Sequence, residues 1–131
     1  MQEEKVAIIC KKHSINSLYL FGSLADGSYD EDSDLDLAYL TVNADNAPDY
    51  GSLYFDLQGI SSRKLDLIDL RKASLVFTYQ IIKDGKVIYD VDQERRTDFE
   101  DELIKKYLDY STFTRLIQDE LDANFVVEVE P

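Results

Sequence analysis

"FGSLADGSYDEDSDLDL", residues 21–37, ends an apolar run with glycine and serine, then sets five carboxylates in the seven positions from Asp30 to Asp36. Its last part decides the fold. In "SDLDLAYLTV", residues 33–42, Leu35, Leu37 and Tyr39 fall on one side of an extended chain while Asp34 and Asp36 fall on the other. This alternation predicts a strand with one polar face. The run before it, "SLYLFG" at residues 17–22, reads as a buried strand that Gly22 ends.

Outward from these two strands, the pattern alternates between helical and extended periods. Residues 3–13 predict a helix with Val6, Ile9 and Cys10 turned inward. "NADNAPDYG", residues 43–51, is turn chemistry, and 52–60 a short helix. "KLDLIDL", residues 64–70, predicts a third strand with Asp66 on its acidic face and Asp69 on the opposite one. A helix over 72–83 stops at "DGK", where Gly85 is expected in the left-handed conformation, and "KVIYD" returns as a short strand. A long helix over 93–121 repeats apolar residues at three- and four-residue spacing, among them Phe99, Leu103, Tyr107, Phe113, Ile117 and Leu121. The tail "NFVVEVEP" is expected to be an extra edge strand or disordered. The fold class is therefore α/β (α+β), a small mixed sheet flanked by helices. One domain is expected over 1–131, with a core at about 1–90 and a C-terminal helical arm at about 91–124.

Composition bounds the function. At 131 residues and 44% hydrophobic, the chain suits one domain burying roughly two-thirds of its unfolded surface. With 27 acidic against 14 basic residues the formal charge is −13. Such a field repels phosphate backbones, which argues against stable binding to DNA or RNA and favours a basic protein partner, bound cations or simply a solvated acidic surface. Cys10 is the single cysteine and sits beside Ile8 and Ile9, so a buried thiol in a reducing compartment is expected. No apolar run approaches ~18 residues and the first residues lack a signal-peptide core, which predicts a soluble cytoplasmic protein without a membrane role.

The carboxylates carry the chemistry. Residues i and i+2 on a strand point the same way with Cα atoms about 6.5 Å apart. Side chains of that length converge on a pair of divalent ions about 3.5–4 Å apart, although the same spacing also suits a solvent-facing acidic edge. Two rival motifs fail on this stretch. An EF-hand starting at Asp30 or Asp32 needs Gly at its sixth and Glu at its twelfth position, where the chain has Leu35 and Thr41, or Leu37 and Asn43. A Walker A loop needs Lys and Ser/Thr after its second glycine, and Ser28 and Tyr29 follow Gly27.

Gly-Ser, ten residues, then Asp-Leu-Asp between apolar strands, with Asp66 about thirty residues on, resembles the polymerase-β-type nucleotidyltransferase superfamily. The likeness is to its minimal nucleotidyltransferase (MNT) branch, mostly antitoxins encoded beside HEPN-domain toxins, and it covers nearly the whole chain. It implies a polymerase-β-like core with a long C-terminal helix. It also implies that Gly22 and Ser23 hold the β and γ phosphates of ATP and that Asp34 and Asp36 bind two Mg²⁺ ions (Mn²⁺ also suiting the site). By the same resemblance, Asp66 is expected to complete the second metal site or accept the proton.

The activity implied is transfer of AMP to a tyrosine hydroxyl of a HEPN ribonuclease toxin, with release of pyrophosphate. Two alternatives stay open: an antitoxin acting by contact alone, and nucleotide transfer to a small molecule or RNA. One departure stands out. Family members carry arginines in the four residues after Gly-Ser, where this chain has Leu24, Ala25, Asp26 and Gly27. Arg63, Lys64, Arg71 and Lys72 flank the third strand and are candidates to replace that charge, with a solvated face as the simpler reading. His13 is expected as a helix cap or surface residue.

Overall fold

Strand β1 (Ile15–Phe21) lies at the middle of the computed structural model, which describes residues 2–45 and 47–129. Its apolar run needs cover on both faces, and it receives it. Helix α1 (Glu3–Lys12) precedes it, and the short helix α2 (Ser23–Asp26) follows. Next come β2 (Leu35–Thr41), α3 (Tyr50–Gln58), β3 (Leu65–Asp69), α4 (Leu75–Asp84), β4 (Lys86–Asp90) and α5 (Gln93–Val129). The sheet order is β3-β2-β1-β4. Strand β1 runs antiparallel to β2 and β4, whereas β3 pairs parallel with β2, a reversal that requires the crossover supplied by α3. The sheet is mixed and flanked by helices, as the sequence predicts.

Alternation along the strands builds a core on each face. Leu18, Leu35, Leu37, Tyr39, Leu65 and Leu67 pack with Val6 and Cys10 of α1 and Leu53 and Leu57 of α3. Tyr19, Ala38 and Leu40 point the other way, against Leu70 and Ile81, with Phe21, Ile68 and Phe99 beside them. Cys10 is fully buried, and burial pushes its thiol up to about 12, the inert state expected of it. His13 is the C-cap of α1, but its ring is buried and sits 2.8 Å from the Asp56 carboxylate of α3, so it joins two helices and is not a surface residue.

Several boundaries differ from those read in the sequence. Helix α3 starts at Tyr50 because Asp49 caps it, accepting from the Ser52 amide at 3.3 Å. Helix α4 starts at Leu75 because Ser74 caps it, while the Lys72 and Ala73 amides are used in a turn on the Asp69 carbonyl. Gly85 is extended, φ −76°, and not left-handed. Its lack of a side chain matters for close packing: a Cβ there would lie 2.5 Å from the Ile81 carbonyl oxygen and 3.2 Å from that of Leu20. Among the described residues the tail forms no edge strand. Helix α5 continues to Val129, since neither glycine nor proline interrupts it, and Glu130 and Pro131 lie outside the described residues.

Candidate active site

The site grows from the end of β1. Phe21 pairs in register with Asp36, and Gly22 then turns the chain at φ +73° into α2. A Cβ at Gly22 would overlap the Asp36 carboxylate, so glycine is required both by its backbone and by its neighbour. Ser23 is the first residue of α2, where first-turn amides have no partner within the helix. Gly27, φ +86°, ends that turn.

Asp36 and Asp66 are register partners across the parallel pair β2 and β3, which places their side chains on one face of the sheet. That face is the one α4 and α5 cover further along, at Ala38, Leu40 and Ile68. Asp34 is exposed and lies one residue before β2 begins, so its position is set by the acidic loop as much as by the strand. Asp69 pairs with Tyr39 on the opposite face, as its spacing predicts.

Burial, the charge of Asp66 and then the charge of Asp34 raise the Asp36 carboxyl above the ordinary carboxylate range, and a hydrogen bond with Asp66 favours the protonated form further. Asp36 therefore feels both of the other carboxylates. A divalent cation would offset this repulsion, so the donor set fits a hard, oxygen-seeking ion. Among the described residues, no three His, Cys, Asp or Glu side chains are already drawn into a metal cage.

The loop between Gly27 and β2 is fastened by a residue that local sequence does not reveal. One Arg63 nitrogen donates to the Asp30 carbonyl at 2.8 Å and the Ser33 carbonyl at 2.9 Å, and the guanidinium lies 5.6 Å from the Tyr29 ring centroid. Arg71 donates to the Thr41 hydroxyl at 2.8 Å and carbonyl at 3.0 Å and lies over Phe99. Neither arginine is simply solvated, and Arg71 is tied to the far end of β2. Of the residues that follow Gly22 and Ser23, Leu24 packs on the core, Ala25 is buried, and Asp26 accepts from the Ser28 amide and hydroxyl.

Two further features emerge only from tertiary structure. Tyr50 donates to the Leu67 carbonyl at 2.8 Å, and its phenol is raised by burial and then by the nearby Asp66 charge. A cavity of about 210 Å³ opens beside Gly22, lined by Phe77, Gln80 and Asp84 of α4.

This is a nucleotidyltransferase fold, with a mixed sheet carrying paired aspartates beside a glycine turn. Residues 4–94 match the family described as Polymerase beta, Nucleotidyltransferase, and the chain belongs to that family. A protein adenylyltransferase MntA of Shewanella oneidensis is 28% identical over 127 residues, covering 95% of this chain and 90% of that protein. An MntA of Aphanizomenon flos-aquae is 27% identical over 100 residues, covering 69% and 67%. Among solved structures, a toxin-antitoxin crystal structure with AMP-PNP shares 25% identity at a TM-score of 0.71, covering 92% of this chain and 98% of that one. A complex of tri-AMPylated Shewanella oneidensis HEPN toxin with MNT antitoxin shares 25% identity at a TM-score of 0.66, covering 91% and 94%. Among the described residues of the present chain, no helix is long and apolar enough to cross a membrane.

Proposed function

We propose that this protein is a cytoplasmic antitoxin that transfers AMP from ATP to a tyrosine hydroxyl of a cognate HEPN ribonuclease toxin, releasing pyrophosphate. The observation that carries this reading is the pairing of Asp36 with Asp66 directly beside the Gly22 turn. The adenylyltransferase relatives and the complexes of similar fold support it.

In this reading, the bare backbone at Gly22 lets the triphosphate approach, and the Ser23 amide and hydroxyl bind its β and γ oxygens. Asp34 and Asp36 would hold two Mg²⁺ ions, with Asp66 completing the second position or taking the hydroxyl proton. Bound metal supplies neutralising charge to the triphosphate and lowers the pKa of the attacking hydroxyl. The tyrosine oxygen bonds to the α phosphorus, the bond from that phosphorus to the bridging oxygen breaks, and pyrophosphate leaves. Because Leu24, Ala25 and Asp26 offer no cation, and Arg63 is committed to loop carbonyls, neutralisation of the phosphates falls mainly to the metals.

The exposed outer half of α5 and the charge of −13 favour a second reading, in which the toxin is held by contact without modification. Donor labelling separates the two. With the toxin, Mg²⁺ and ATP labelled on the α phosphate, label is expected in toxin protein; with γ-labelled ATP it is expected only in pyrophosphate. Label in neither position would leave contact as the mode of action.

A further inference from the structure

The inner half of α5 is fixed firmly to the sheet. Tyr19 donates to Glu100 at 2.8 Å, Arg96 bridges Glu100 at 2.7 Å and Asp90 at 2.8 Å, and the buried Ser17 donates to Asp90 at 2.8 Å. About two turns beyond Glu100, Tyr107 stacks on Tyr79 of α4, with centroids 3.7 Å apart and planes within 4°. Beyond this point α4 has ended its cover. Leu108, Phe113, Leu116, Ile117 and Leu121 all stand exposed, at 43–63% of their full surface.

Ile117 and Leu121 continue a regular series, whereas Leu108, Phe113 and Leu116 lie beside it. Leu103, Tyr107, Tyr110, Thr114, Ile117 and Leu121 succeed one another at intervals of four, three, four, three and four, the seam of paired helices. Leu103 and Tyr107 occupy that seam against the domain itself, and the same seam then runs on past Val76, near the start of α4. From residue 111 to Val129 the helix reaches about 28 Å further. A lone helix of this length with an apolar seam is marginal in water, and its stability comes from a partner.

We propose that this outer seam docks a helix of the acceptor protein, one that is amphipathic and basic. Charge selects this occupant over a second copy of the chain. Between residues 108 and 123 the arm carries Asp109, Asp119, Glu120 and Asp122 against Arg115 alone, and two chains of −13 would repel each other along the full seam. The arm is anchored to the domain through Phe99, which packs on the sheet beneath Arg71 at the Thr41 end of β2. The identity of the acceptor rests on the function proposed above; the seam itself does not.

The test uses the full chain with Thr114, Ile117 and Leu121 all changed to Asp, and as probe the HEPN-domain toxin of the function proposed above. Binding is measured without nucleotide, and AMP transfer separately at saturating toxin. The triple variant is expected to melt like wild type and to bind at least about a hundredfold more weakly. A second variant, Asp119→Lys with Glu120→Lys and Asp122→Lys, is expected to bind about tenfold more weakly in low salt, with the difference gone in high salt. Undiminished binding by the triple variant overturns the proposal, as does self-association of the wild-type chain that this variant abolishes. Loss of binding in the variant with no AMP transfer by wild type would uphold the seam and refute the transfer reading; transfer with undiminished binding would do the reverse.

Discussion

Gly22 and Asp36 are so close that a single added methyl group at Gly22 would occupy the space of the Asp36 carboxylate. Gly22→Ala therefore strains a backbone at φ +73° and displaces the carboxylate from its place between Phe21 and Asp66. Gly27→Ala is its control, with φ +86° and nothing within 4 Å of the added carbon. Both substitutions are expected to cost about 1–3 kcal/mol of stability. AMP transfer should collapse in the first and survive in the second, as melting curves and single-turnover rates will show.

Asp36→Asn should abolish transfer yet stabilise the metal-free protein at neutral pH. The folded-state pKa of Asp36 is raised above the usual 3.8, so the native state holds this proton more tightly than the unfolded chain. The group thus lowers stability once the pH rises through its folded pKa, and contributes no such cost below about 4. Melting the mutant and wild type from pH 3 to pH 8 should show a gain for Asn that grows with pH. An Asn variant less stable than wild type at pH 7 would contradict the crowding of Asp36 by Asp66 and Asp34.

Arg63→Ala should loosen the loop that delivers Asp34. Losing two hydrogen bonds to the Asp30 and Ser33 carbonyls is expected to cost about 1–3 kcal/mol, with transfer reduced but not abolished. Hydrogen exchange should rise in residues 28–34 and stay unchanged in β1. Exchange unchanged in the loop would remove Arg63 from this role.

Removing the Arg96 guanidinium leaves Asp90 and Glu100 facing each other half-buried, with the Tyr19 hydroxyl as the remaining donor to Glu100. Arg96→Ala is expected to cost about 2–3 kcal/mol, whereas Arg96→Lys should recover part of it. Thermal unfolding monitored by circular dichroism reads both.

The strand carrying Asp36 was legible because a period of two separates carboxylates from leucines without any reference to the rest of the chain. Gly22 was legible as a turn for the same local reason, and Asp66 by its repetition of the pattern in β3. Asp34 was only half legible, since its alternation with Asp36 continues past the true start of β2. Gly85 misled because a glycine at a helix end has two uses, a left-handed turn or close backbone approach, and the carbonyls of Ile81 and Leu20 that choose the second come from elsewhere. The bonds that Arg63 and Arg71 make, and that from Tyr19 to Glu100, were invisible because each spans distant parts of the sequence. The amphipathic spacing of α5 was visible throughout, but not that its cover ends near Tyr107.

The central claim is lasting covalent silencing, and it is tested most directly by separating the partners. Toxin incubated with this protein, ATP and Mg²⁺ is purified away in high salt, then weighed by intact-mass spectrometry and assayed for ribonuclease activity. The account predicts toxin heavier by one or more adenylyl groups and still inactive, while toxin treated with the Asp36→Asn variant keeps its mass and recovers. Toxin of unchanged mass that regains full activity after exposure to the wild-type protein would contradict it.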